Sequence, residues 1–213
     1  MTARYLVFSG GEGTGKTTQC RLLAEHLRFR GYRVLESKEP GHSSQPLTMT
    51  LRDLMLNQEH DASLTPLARE LISQTIRSIH YEKRIKPALE THDFIIQDRG
   101  VLDGLAYGWA CGNDPQWLLD MAKRVCNVDT LYNVYSDVVV LRGSVSTGLD
   151  RALSSKKEFA AGDAIETKGP EFLCRVEECM RYSAVYFPVR YVDVDGRDIV
   201  QVHEDILRVL NLK

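Results

Sequence analysis

The sequence predicts an α/β fold: a five-stranded parallel sheet flanked by helices and headed by a phosphate-binding loop. Three observations carry this. Strand-like and helix-like segments alternate along the whole chain. A strand, a glycine-rich turn and a helix follow one another at the N-terminus. The later helical stretches open on cap residues followed by proline.

Taken in order, the first strand is Tyr5–Ser9, inside the apolar run "RYLVFS". It leads into "GGEGTGKTT", where Gly10, Gly15, Lys16 and Thr17 satisfy G-x-x-x-x-G-K-[ST]. Such a loop aims backbone N–H groups and a helix N-terminus at one anion. Lys16 is placed to reach β- and γ-phosphates, and the Thr17 hydroxyl to complete a Mg²⁺ shell; Gly11, Gly13, Thr14 and Thr18 complete the loop. The following helix repeats apolar residues at Cys20, Leu23, Ala24 and Leu27 and stops at Gly31. A second strand covers Arg33–Glu36. A long helix then starts at Thr65 and Pro66, with Leu67, Leu71, Thr75 and Ile79 on one face, and Pro87 is expected to end or kink it. The third strand, Phe94–Gln97, runs straight into Asp98, Arg99 and Gly100. Asp114–Pro115 and Pro170 open further helices around a fourth strand, Val138–Leu141. A fifth strand, Tyr191–Val194, precedes a last helix, Asp198 to Leu210, with Ile199, Val202, Ile206 and Val209 inward.

Two places invite chemistry beyond the loop. A carboxylate at the carboxyl end of a strand in such a sheet faces the same crevice as the loop, so Asp98 is a candidate Mg²⁺ ligand. Arg99 is a candidate for a second phosphate or for the charge of a transferring group, a structural salt bridge being the alternative. The polar stretch "SSKKEFAAGDAIETKG", residues 154–169, has little to bury; it is either an exposed connection or a mobile lid.

Composition narrows the classes. With 213 residues, 27 Lys and Arg against 29 Asp and Glu, and a net charge of −2, there is no basic excess for a nucleic-acid surface. Apolar runs such as Val138–Leu141 are too short to span a bilayer, and the N-terminus lacks the apolar core of a signal peptide. A soluble cytoplasmic protein is expected, with no nucleic-acid or membrane partner. The five cysteines are odd in number and form no C-x-x-C pair, so buried reduced thiols are expected rather than a zinc site.

With these segments in place, the chain resembles thymidylate kinases over nearly its whole length. The likeness lies in "GGEGTGKTTQ", "EPGHS", "LRDLML", "IKPALETHDFIIQDR", "AYG" and "GLDRAL". The resemblance implies one kinase domain over residues 1–213 that transfers the γ-phosphoryl of ATP, with Mg²⁺, to a deoxynucleoside 5′-monophosphate, usually as a homodimer. It implies ATP phosphates on Lys16 and the loop amides, metal at Thr17 and Asp98, and the acceptor phosphate at Arg99, with Arg52 a further candidate. By the same likeness Glu12 meets the acceptor's 3′-hydroxyl, Arg77 reads the base edge, and Tyr107 crowds the sugar 2′ position. Pro40 of "EPG" belongs to a monophosphate site, Arg151 lies near the adenine, and 154–169 becomes a lid that excludes water.

Departures from the family cluster around the acceptor base. Ser73 stands where a phenylalanine stacks on thymine, and Asp103, Gly104 and Gly108 replace larger or differently polar neighbours. These changes are expected to open space and add polar partners, which favours a larger or more polar base such as that of 5-hydroxymethyl-dUMP. The alternative keeps dTMP, with Trp109 or another ring replacing the phenylalanine. On the donor side Ala164 stands where the lid has an arginine, and Thr14 where a subgroup has one, leaving Lys156 and Lys157 as the nearest cations. Ser9 and Arg142 replace a glutamate and an aspartate with no reading attached. A deoxynucleoside kinase would need a base beside the 5′-hydroxyl. An ATPase switch would leave Arg99, Arg77 and Tyr107 without a shared task.

Overall fold

The computed structural model describes residues 3–148 and 163–213. Five parallel strands, β1 (Arg4–Gly10), β2 (Val34–Lys38), β3 (Phe94–Asp98), β4 (Asp137–Arg142) and β5 (Val189–Asp193), lie in the order β2-β3-β1-β4-β5. Each expected strand is present, with ends shifted by one or two residues. Register puts Phe8 opposite Asp98 and Gly10 opposite Leu141, so the carboxyl ends of three neighbouring strands open on one crevice.

Alternation along the strands builds a core on each face of the sheet. Leu6, Phe8, Ile96, Val139 and Leu141 pack with α1 (Lys16–Phe29) and α9 (Ile199–Val209). Tyr5, Val7, Ile95, Val138 and Val140 pack on the other side. That layer holds α2 (Pro46–Leu56), α4 (Pro66–His80), α5 (Lys86–Thr91), α6 (Val101–Ala110), α7 (Pro115–Cys126) and α8 (Pro170–Ser183), with a short α3 (Gln58–Asp61) after α2. The caps form as read: Thr65 Oγ1 accepts from Ala68 N at 3.1 Å and Asp114 Oδ1 from Trp117 N at 2.7 Å.

The buried face of α4 is not the one that carries Leu67 and Leu71, which are 50% and 46% exposed. Ile76, with half-buried Ile72, packs in the core, and Arg69, Glu70, Gln74, Arg77 and His80 are buried as well. Assigning Leu67 and Leu71 inward fails because the helix turns other residues to the core and to a polar cleft beside it. Pro87 neither ends nor sharply breaks the helix. A π-turn over Tyr81–Ile85 carries α4 into α5, where Pro87 sits in the first turn and its missing N–H leaves no gap. Ile199 is also 58% exposed, while Val202 and Ile206 point inward. All five cysteines are free, but Cys174 is exposed rather than buried.

The segment expected to have little to bury behaves otherwise at its end. Asp163, Ala164 and Ile165 are buried, and Ala164 N donates to Leu56 O at 2.9 Å, docking the chain on the end of α2. Arg151, Lys156 and Lys157 lie outside the described residues. Among the described residues no helix is long and apolar enough to cross a membrane.

Candidate active site

The loop between β1 and α1 packs tightly on the start of the segment after β4. Gly13 has φ 64° and a side chain there would meet Gly148 O at 1.9 Å, so only glycine fits. The Lys16 ammonium is buried and donates to Gly10 O at 3.0 Å and Gly11 O at 2.5 Å. Burial, with Arg99 nearby, lowers its pKa to about 8. The free enzyme therefore loses this charge as pH rises through about 8, and binding of a polyphosphate above that pH takes up a proton. Affinity for a polyphosphate is expected to be flat near pH 7 and to weaken above pH 8, read from binding titrations across pH 6.5–9.5. Thr14 turns away from the crevice, its hydroxyl donating to Gly11 O at 2.9 Å.

Across the crevice, the Thr17 hydroxyl donates to Asp98 Oδ2 at 2.5 Å, and Lys38 Nζ lies 3.3 Å from the same oxygen. Burial alone would raise the Asp98 carboxyl; Lys38, the Thr17 bond, Arg99 and Lys16 outweigh it and hold the pKa below the ordinary carboxylate value. Among the described residues no cluster of three His, Cys, Asp or Glu side chains is poised for a metal. One hydroxyl and one ionised carboxylate are hard oxygen donors, and they fit Mg²⁺ with phosphate and water completing the shell.

Arg99 is the hub of the site. Its backbone takes the left-handed region at φ 66°, uncommon for a side-chain-bearing residue. Its guanidinium reaches Glu12 Oε1 at 2.5 Å and Asp103 Oδ1 at 2.9 Å, and lies 5.5 Å from the Tyr107 ring centroid. The salt bridge weighed against a phosphate role is thus present, yet the same residue borders the main cavity. Tyr107 Oη donates to Glu12 Oε1 at 2.9 Å, which binds the loop to α6. Asp103 is not a free partner for a base: it also accepts from Ser9 Oγ at 2.6 Å and Gly100 N at 3.3 Å. The acid expected on β1 at position 9 thus sits on α6, with Ser9 as its donor.

The cavity, of about 530 Å³, runs from Lys16, Thr17 and Thr18 past Lys38, Pro40 and Arg52 to Ser73, Gly104 and Tyr107. Arg77 is brought near it but does not line it. Its Nε donates to Glu39 Oε2 at 3.0 Å, and its guanidinium fills the space a side chain at Gly104 would need, 2.2 Å from such a Cβ. Burial works against its charge, but Glu39 and Glu70 more than offset this. Glu70 likewise fills the space beside Gly108, 2.7 Å from such a Cβ. The glycines therefore admit charged groups of α4 as well as lining the cavity. Trp109 packs against Tyr182 at 5.9 Å, away from the cavity, and Tyr107 is the aromatic side chain in its lining.

Sequence reasoning missed Lys38, Arg69, Glu70 and Asp163, all of which line this cavity. Arg69 is held by Met55 O and by Asp61. Extending the helical period one turn back from Ser73 points to residues 69 and 70. Arg142, expected as an anomaly, forms an exposed ion pair with Asp193 at 2.8 Å and contributes little.

Comparisons with known proteins bear on the family and the fold. The family model described as thymidylate kinase matches residues 8–206. A thymidylate kinase of Thermomicrobium roseum is 42% identical over 194 residues, 90% of this chain and 86% of the relative. A probable thymidylate kinase of Thermococcus kodakarensis is 29% identical over 97% of this chain and 96% of its own. The crystal structure of thymidylate kinase from Ehrlichia chaffeensis superposes with a TM-score of 0.72 at 23% identity, covering 99% of this chain and 100% of that one.

Proposed function

Since the chain belongs to the thymidylate kinase family, we propose that it transfers the γ-phosphoryl group of ATP to the 5′-phosphate of dTMP or of a C5-modified dUMP such as 5-hydroxymethyl-dUMP. The observation that carries this is one cavity bordered by two cations, Lys16 and Arg99, together with Thr17 and Asp98.

Phosphoryl transfer depends on positioning and charge neutralisation more than on covalent help. Lys16 and the amides of Gly10–Thr18 hold the ATP phosphates. Thr17 and Asp98 would hold Mg²⁺, which would supply charge neutralisation to the phosphates. Arg99, fixed by Glu12 and Asp103, orients the acceptor phosphate with Pro40 and Arg52. An oxygen of that phosphate attacks the γ-phosphorus while the bond to the ADP oxygen breaks; the acceptor is already ionised at neutral pH, so no base is required.

Glu12 supports a monophosphate over a nucleoside acceptor, because its carboxylate is committed to Arg99 and Tyr107 instead of serving as a free base. Ser73 without a replacement ring favours the modified base over thymine, since base stacking contributes about 1–3 kcal/mol. Tyr107 carries the deoxyribose preference through its ring. Tyr107→Ala is expected to relax rejection of ribonucleotides about tenfold or more, and Tyr107→Phe to preserve it, read as the deoxy-to-ribo ratio of kcat/KM.

For the proposed homodimer, the exposed leucines of α2 and α4, Leu47, Leu54, Leu67 and Leu71, are the apolar surface offered to a second copy. Leu67→Asp with Leu71→Asp is expected to halve the mass seen by sedimentation equilibrium. The proposed enzyme is a cytoplasmic protein acting on small nucleotides. ADP release from Mg·ATP, coupled to a reporter and run against dTMP, 5-hydroxymethyl-dUMP, dCMP, dGMP, dAMP and thymidine, tests the assignment. A pyrimidine monophosphate is expected to lead, and thymidine alone would overturn it.

A further inference from the structure

Glu70 is a buried carboxylate, 5% exposed, in the wall of the acceptor cavity. Its Oε1 accepts from Gln74 Nε2 at 2.7 Å. Its Oε2 stands beside Gly108, and no hydrogen-bond donor of the described residues reaches it. The neighbouring amide has the same deficit: Gln74 Oε1 is buried without a partner. Turning that amide over changes which atom is unmatched but not the shortage, because an ionised carboxylate and one amide hold more acceptors than donors. Glu70 lines the cavity whereas Gln74 lies behind it, so a bound ligand is the available donor to Glu70 Oε2.

Position says which part of the ligand supplies it. Glu70 lies three residues before Ser73 on α4, about 4.5 Å along the helix axis. The wall continues past Ser73 to Pro66, Arg69, Cys111 and Asn113. A base ring held between Ser73 and Tyr107 therefore presents to Glu70 a group that projects from its rim. The methyl group of thymine has no hydrogen to donate there. We propose that Glu70 sets base specificity by accepting a hydrogen bond from an exocyclic O–H or N–H of a pyrimidine, selecting hydroxymethyl- or amino-bearing bases over thymine. This rests on the monophosphate kinase reading. Burial raises the pKa of this carboxyl, with Arg77 and the Gln74 bond opposing, as fits an acceptor short of partners.

The test is kcat/KM of the full-length protein, with Mg·ATP, for dTMP, 5-hydroxymethyl-dUMP and dCMP, in the wild type, Glu70→Gln and Glu70→Leu. The wild type is expected to prefer a donor-bearing acceptor over dTMP by about tenfold or more, the size of one hydrogen bond to a charged group. The hydroxymethyl and amino compounds tell the two donors apart. Glu70→Leu is expected to lose that preference while keeping or raising activity on dTMP, with Glu70→Gln between. A wild-type preference for dTMP, or an equal loss on all acceptors in both variants, would overturn the role of Glu70 while leaving the kinase reading intact. No turnover of any monophosphate by the wild type would remove both.

Discussion

Arg99→Ala is expected to lower kcat/KM by about 10³-fold or more, the range seen when an arginine is removed from a phosphoryl-transfer site. The loss exceeds that of one phosphate contact because the guanidinium also holds Glu12 and Asp103, which lose their closest ion-pair partner. Breaking such a pair by removing one partner costs about 3–5 kcal/mol, so the thermal midpoint falls as well. Arg99→Lys separates the two effects. It keeps a charge but not a planar fork able to face a phosphate and two acids at once, so stability recovers more than activity. The backbone gives a third arm: at φ 66° glycine is unstrained, and Arg99→Gly is expected to be more stable than Arg99→Ala by about 1 kcal/mol in urea unfolding.

The second large effect is expected at Asp98. Asp98→Asn lowers kcat by about 10²–10³-fold, as for other single groups that stabilise transition-state charge, and raises the Mg²⁺ concentration needed for half-maximal rate. Thr17 and Asp98 offer the two oxygens, and the amide retains the shape without the charge. Linkage gives an independent readout. The folded-state pKa is lowered, so the carboxylate stabilises the protein above its unfolded value of about 3.9 and that contribution disappears as pH falls through the folded value. Asp98→Asn is expected to flatten the acid limb of the stability curve below about pH 4, where the wild type declines, and to leave its slope near neutrality unchanged.

How much of this was legible in the sequence follows from the range of each interaction. The phosphate loop, the glycine stop of α1 and the caps at Thr65 and Asp114 rest on neighbours a few residues apart, so local chemistry specifies them. The order of the strands was readable as alternation, and only their ends moved. The pairing of Ser9 with Asp103 joins residues 94 apart, and nothing near either one announces it. Each had been noted as a departure from the family, one without meaning and the other as a base contact; together they form a support for Arg99. The helix α4 misled for a different reason. Leu67 and Leu71 face outward while Ile72 and Ile76 pack on the core and polar residues face a cleft, so the apolar spacing alone picked the wrong face. Arg77 and Glu70 became intelligible only once Gly104 and Gly108 were seen to make room for them.

The measurement that bears most directly on the central claim is the rate of ADP formation from Mg·ATP with and without a pyrimidine deoxynucleoside 5′-monophosphate, with the product identified by mass. Lys16 and Arg99 facing one cavity predict negligible ADP alone, and stoichiometric ADP and deoxynucleoside diphosphate when the monophosphate is added. Acceptor-independent hydrolysis of ATP, or phosphorylation of the nucleoside with none of the monophosphate, would contradict it.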